Sequence, residues 1–250
     1  MAVVEWELKP TSLPDDVALT IASFLDTGSD VCSLGSCSRF WRELCAADCL
    51  WLDLARSRWP RLALSVRHDD NTSNHKGWRS FYITMHKRLS GCASIVIKSV
   101  EQWTNNDSLE VGNYLKAVSD LRSMDLGFKD VQLFLLAKKH SVLLNLIGLH
   151  YSIFCLGISP NDVTEALRAC GVTERQVCVS WFKLGRWFYG FRLPDEHRSR
   201  KISLGELAMD KGEEVLGVLN RGVVHEVLRV HIKAANARTA QPSHSMGHLS

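Results

Sequence analysis

The stretch SLPDDVALTIASFL, Ser12–Leu25, decides how the first sixty residues are read. Ser12 is placed to cap a helix, and Asp15 can reach back to it from three residues on. Pro14 is tolerated in a first turn, where its missing amide hydrogen has no helical partner to lose. Leu13, Val17, Ile21 and Leu25 then recur every four residues, and Ala18, Ala22 and Phe24 widen the apolar stripe. The spacing predicts an amphipathic helix that stops at Asp26-Thr27-Gly28. Thr27 and Asp30 repeat the capping pattern ahead of Val31, Leu34 and Cys37. Ser38 caps a third helix with Phe40, Trp41, Leu44 and Cys45, and Leu50, Trp51, Leu54 and Ala55 lie on a fourth stretch that ends at Trp59-Pro60. Each of these helices is too short to be stable alone, so packing has to hold them.

Outward from there, composition sets broad bounds. The chain has 250 residues, 46% of them apolar and 23% charged, which is globular composition and excludes disorder or fibrous repeats for its bulk. Eight cysteines are too few for a disulfide scaffold, and a net charge of +3 leaves no nucleic-acid footprint. The acidic start, MAVVEWE, has neither a basic nor an apolar leader region, so no signal peptide is expected and the cysteines are expected to stay reduced. The uncharged run from Ser141 to Asn161 is long enough to span a bilayer, but Asn145, His150, Ser152 and Pro160 interrupt it, and a buried element is expected instead. Charge is uneven: residues 1–60 hold five basic and nine acidic side chains, while the remainder is net basic.

Val66–Lys76 is polar and turn-rich, a natural boundary. Trp78, Phe81, Tyr82, Met85 and Leu89 lie on one helical face, and Ala93–Val100 is open between strand and helix. Asp107–Glu110 reads as a cap ahead of a helix carrying Val111, Tyr114, Leu115, Val118 and Leu121, and Val131–Lys139 reads as helical. Periodicity does not decide Val142–Ile158. Ser159-Pro160 opens a helix through Ala169 that Gly171 closes. Val177, Val179 and Trp181 alternate as a strand, Leu184–Arg186 is a tight turn, Pro194–Ser199 a polar turn, Lys201–Leu204 a further strand and Glu213–Leu219 a helix. Leu228, Val230 and Ile232 alternate as a last strand, and a disordered tail is expected from residue 234 on.

Order and spacing over about forty residues resemble the F-box family. The residues that carry the resemblance are Leu13-Pro14, then Val17, Ile21 and Leu25, then Asp30-Val31, Ser36-Cys37, Trp41-Arg42 and Leu50-Trp51. The stretch from Cys37 to Trp51 is one residue longer than is usual in the family, which leaves Phe40 and Trp41 both open for the aromatic position, and Ser36 stands where the family often has an apolar residue. The resemblance implies a three-helix docking unit that binds the Skp-type adaptor of a cullin–RING ubiquitin ligase, while the remainder recruits a protein substrate. On this reading Leu13, Pro14, Val17, Ile21 and Leu25, with Val31, Leu34, Cys37, Trp41, Leu50 and Trp51, form the adaptor site, and the tryptophans are its anchors. Such a short unit cannot bury all of these residues itself, and helix-in-groove pairing would finish the burial. The style of Val177–Leu193 resembles plant F-box proteins whose C-terminal regions are not repeats.

The expected fold is α+β. A helical F-box occupies residues 10–56, residues 57–90 form a linker and connecting helix, and residues 91–233 form a mixed domain of several helices and a small antiparallel sheet. The nucleus, the cytoplasm or both are the expected compartments. Cys32, Cys37, Cys45 and Cys49 have poor zinc spacing and read as small apolar fillers, so no metal or other cofactor is expected. Cys155, Cys170 and Cys178 sit in apolar or capped-helix contexts, and scattered histidines, with no H-E-x-x-H or G-x-S-x-G motif, give no catalytic site. The cluster His197–Lys201 reads as a solvated loop that could meet an acidic substrate. Six aromatics between Trp181 and Phe191 either reach the surface or lie in a sheet buried on both faces. Trp187, Tyr189, Arg198 and Arg200 are the substrate-contact candidates. Two other readings stay open: an interaction protein outside ubiquitin ligases, and an enzyme that uses the C-terminal domain.

Overall fold

The computed structural model describes residues 13–60, 77–209, 213–222 and 227–235. The chain divides into two compact units, residues 1–88 and 89–250. Ser12 as a cap, the polar boundary at Val66–Lys76 and the expected tail lie outside the described residues, the last apart from Ala234 and Ala235.

The first unit is helical. Helix α1 (Asp15–Ser23) follows Pro14, whose carbonyl accepts from Ala18 N–H at 3.0 Å. It ends at Ser23, earlier than the expected stop at Asp26–Gly28. In α2 (Gly28–Cys37) the Thr27 hydroxyl caps the first turn by accepting from Asp30 N–H, and Ser38 does the same for Trp41 in α3 (Arg39–Leu44). Helix α4 (Asp48–Arg58) follows. The first turns of α5 (Gly77–Trp103) belong to this unit as well.

Two packing clusters hold the unit. Ala18 and Ala22 of α1 meet Leu44 and Leu50. Trp51 and Tyr82 stack edge to face at 5.3 Å, and Trp51 Nε1 donates to the Cys45 carbonyl at 2.8 Å. Arg58 donates to Tyr82 Oη at 2.9 Å and lies over the Trp59 ring at 4.7 Å. Gly28 allows this approach, since a Cβ there would stand 2.6 Å from the Tyr82 ring. Tyr82 therefore packs as part of the helical unit, where a connecting helix within a linker was expected.

Helix α5 is continuous through Ala93–Val100, which settles that stretch as helix. Its remainder belongs to the second unit, with α6 (Val111–Ser123), α7 (Phe128–Phe134), α8 (Val142–His150), α9 (Pro160–Ala169), α10 (Leu204–Ala208) and α11 (Glu213–Arg221). Every residue of α8 is buried, and a π-helical turn, Tyr151–Cys155, continues it, so the undecided run is a core helix. Among the described residues no helix is long and apolar enough to cross a membrane. Ser159 caps α9 and Gly171 follows it in the left-handed region, as the spacing predicts.

Strands β1 (Ser108–Glu110), β2 (Gln176–Lys183), β5 (Glu196–Ser203) and β6 (Val227–Ala234) form one antiparallel sheet in the order β1-β6-β2-β5. Strands β3 (Trp187–Phe188) and β4 (Phe191–Arg192) form a separate hairpin. Val177, Val179 and Trp181 of β2, with Ile202, Val230, Ile232 and Leu109, fill the inner face, and α8 lies against β2 and β6.

Four expectations are corrected here. Asp107–Glu110 is not a cap: Asn106 and Asp107 take positive φ, and the chain turns into β1, which pairs Leu109 with Ile232. Pro194–Ser199 is not wholly a turn, because Glu196–Ser199 extends β5 in register with β2. Ser203 opens α10 through a capping box with Glu206, where a strand was expected to run on to Leu204. Helix α7 also ends five residues before Lys139. The Asn145 amide, on the fully buried α8, donates to the Leu135 carbonyl at 2.7 Å and so satisfies a carbonyl at that end.

His150, at the end of α8, lies 2.9 Å from Tyr114 Oη, and burial drives its pKa down to about 4, partly opposed by a hydrogen bond with Asn220. Burial also holds Tyr114 well above its ordinary value, so both groups are neutral and share one hydrogen bond. The unfolded chain regains an ordinary histidine near 6.5 and takes up a proton that the folded chain refuses. This group's contribution is complete above about pH 6.5 and is lost as pH falls toward 4, by up to about 3 kcal/mol. Urea unfolding at pH 7.5 and pH 4.5 should show the loss, and His150→Gln should flatten it. An unchanged pH slope in that variant would assign the acid sensitivity to other groups.

Candidate functional site

Helix α1 is turned in an unusual sense. Its small residues, Ala18 and Ala22, face the interior with Leu19 packed beside them, while Val17 and Ile21 face outward. Leu13, Val17 and Ile21 are exposed, and Phe24, just past the helix end, is 78% exposed. The positions 13, 17, 21 and 24 form one stripe at helical spacing, with Pro14 exposed at its start. Leu25, expected as the fourth member, is only partly exposed and lies beyond the helix. Phe24 takes that place, and its spacing of three from Ile21 and seven from Val17 was the available signal.

The other expected adaptor residues divide into two groups. Leu34 and Trp41 are partly buried against the α1 cluster, with Trp41 edge-on to Phe40 at 5.4 Å, and Cys37 is exposed. Val31, Leu50 and Trp51 are interior residues. The anchor role expected for Trp51 does not fit: its ring is 1% exposed and is committed to Tyr82 and the Cys45 carbonyl. Those three shape the unit from within.

Chemistry is sparse. Among the described residues no group of three or more His, Cys, Asp or Glu side chains is set to hold a metal ion. Burial, reinforced by Cys32 and Cys37, pushes the Cys45 thiol up, and burial raises Cys155 and Cys170 as well, away from the reactive thiolate. An open cleft of about 780 Å³ in the second unit is lined by Arg168, Glu174 and Arg175 among others. Arg175 is already engaged there, donating to the His140 carbonyl at 2.6 Å and to the Asn145 side chain.

The second unit presents its aromatics on the β3–β4 hairpin. Tyr189 and Gly190 both take positive φ, the mark of a type I′ turn. Trp187 is 73% and Tyr189 89% exposed, and Phe188 and Phe191 are exposed beside them. Trp181 instead lies in the core, so the aromatics split between core and surface. Arg198 and Arg200 stand on β5, and both pair with Glu214 of α11, at 2.9 and 3.5 Å.

A short helical unit whose first helix packs Ala18 and Ala22 inward and turns Val17 and Ile21 outward offers an apolar stripe for docking. A family model for F-box-like domains matches residues 11–57, so this segment of the chain is an F-box-like domain. Among curated proteins and among solved structures, no match to the chain was found. An F-box-like domain points to a component of a ubiquitin ligase that binds a Skp-type adaptor.

Interior and surface positions of this unit should respond very differently to truncation. Trp51→Ala removes a buried aromatic and is expected to cost about 4 kcal/mol, enough to unfold the helical unit. Phe24→Ser should change stability by no more than about 0.5 kcal/mol. Urea unfolding followed by circular dichroism checks both, and equal destabilisation would contradict the outward placement of Phe24.

Proposed function

We propose that this chain is the substrate-recognition subunit of a Skp–cullin–F-box ubiquitin ligase, acting in the nucleus, the cytoplasm or both. The observation that carries the reading is the outward stripe of Leu13, Val17, Ile21 and Phe24 within the F-box-like region. Burying a Val, Leu, Ile or Phe side chain stabilises by roughly 1.5–3 kcal/mol. Four such side chains removed from water together offset much of the cost of fixing two molecules in one complex. The stripe is helical, which suits helix-in-groove pairing with an adaptor. Leu34, Trp41 and Cys37 extend the contact on the neighbouring helices.

The second unit then receives a protein destined for ubiquitin transfer and proteasomal degradation. What supports this is the exposed aromatic hairpin, since large apolar surface of this kind marks an interaction site. The chain supplies no bond-making group on this reading; ubiquitin chemistry belongs to the other subunits, and this subunit holds the substrate within reach.

Co-expression with a Skp-type adaptor is the direct test. A one-to-one complex is expected by size-exclusion chromatography with light scattering. Ile21→Asp combined with Phe24→Asp should abolish it while leaving the circular dichroism spectrum unchanged. A chain that remains alone in solution, or a double variant that binds undiminished, would overturn the reading.

A further inference from the structure

The sheet of the second unit has two unlike faces. One is the interior. On the other, the strand register sets side chains from β5, β2 and β6 in rows. Lys201, Cys178 and Lys233 stand side by side, and two residues along come Ser199, Ser180 and His231. His197, Phe182 and Arg229 make the third row. None of these side chains is buried. Strand and pleat spacing put the outer members of a row about 10 Å apart and successive rows about 7 Å apart. Basic groups therefore occupy the four corners, and the Ser180 and Ser199 hydroxyls, 2.9 Å apart, lie between them. Glu110 of β1 lies beside this face, and Arg229 pairs with it at 3.5 Å.

We infer that this face and the adjoining β5 edge receive an acidic, extended segment of a protein partner. The inference rests on the reading of the second unit as the substrate receptor and names the substrate's chemistry. Charge complementarity selects the occupant: carboxylates are the counterpart of Lys201, Lys233, His197 and Arg229, and serine hydroxyls can donate to them. The chain's own residues 236–250 contain no Asp or Glu, so they are not the complement. A nucleic acid is the weaker fit. Stacked bases want a series of large rings, and the rows themselves offer one, Phe182, half-buried, beside the smaller imidazoles of His197 and His231. A peptide can also use what a nucleic acid cannot. β5 is the last strand of the sheet, paired with β2 only among the described strands, and its outer backbone groups can pair with an added strand. The β2–β5 ladder runs to Lys183 and Glu196, and the aromatic hairpin lies between those two residues in the chain. Trp187 and Tyr189 thus offer an apolar anchor for a residue flanking the acidic run.

The test uses the full chain in complex with its adaptor. A random twelve-residue peptide library displayed on phage is selected against it, and a labelled peptide from the selection is titrated by fluorescence anisotropy. Expected are peptides enriched in Asp and Glu, at least tenfold weaker binding by a Lys201→Glu, Lys233→Glu double variant, and at least tenfold weakening between 50 and 500 mM NaCl. Circular dichroism of the double variant should match the parent, since both lysines are exposed. Selection of neutral or basic peptides, failure to select any family, equal binding by the double variant, or tighter binding of a twelve-nucleotide oligouridylate than of the peptide would each overturn the inference. Adaptor retention is read in the same preparations. Retained adaptor without acidic peptides sinks this inference alone, whereas peptide binding without the adaptor sinks the ligase reading alone.

Discussion

The contact of Ala18 and Ala22 with Leu44 and Leu50 is the constraint on which the N-terminal unit depends. Two methyl groups allow α1 to lie close against its neighbours, with Leu19 packed at the margin of that contact. Val17, Ile21 and Phe24 are consequently turned to water. The bulk that the interior still needs comes from elsewhere: Trp51 from α4, Tyr82 from the start of α5, and Arg58, which donates to the Tyr82 hydroxyl. This division of labour separates stability from binding. The residues that hold the unit together are not those left for a partner, so a partner can cover the α1 stripe without asking the core to rearrange.

Much of this was legible because capping is local. Thr27, Ser38 and Ser159 each accept from an amide three residues on, and sequence spacing alone displays that geometry. The sense of α1 was not legible in the same way. Periodicity finds an apolar stripe, yet Ala18 and Val17 are both apolar, and only the packed neighbours determine which of them faces in. Trp51 illustrates the converse: a tryptophan in a docking motif reads as an anchor, but its indole N–H reaches the Cys45 carbonyl inside the unit. Phe24 was passed over for Leu25 because a strict step of four runs past the end of the helix.

In the second unit the misread segments are those defined by distant partners. Ser108–Glu110 becomes a strand because β6, more than a hundred residues later, pairs with it. Glu196–Ser199 carries almost no apolar signal, since its side chains are exposed, and only the register with β2 makes it a strand. The end of α7 is another such case, because the amide that satisfies Leu135 belongs to Asn145 on the next helix. By contrast the alternation of β2 and β6 was plain, because each buries one face and wets the other.

The same alternation has a consequence for recognition. A strand that shows one chemistry to the core and another to water lets the core stay constant while the outer face varies, because the two sets of side chains never share a position. On the proposed reading the chain uses two physically different contacts. The α1 stripe is apolar and reads shape; burial of its side chains is little affected by salt. The sheet face is basic and reads charge, which speeds encounter with an acidic partner and weakens steeply as salt rises. An adaptor common to many receptors suits the first kind of contact. A substrate that has to be distinguished from others and then released suits the second, where the affinity is set by a few charges at the corners of an open sheet.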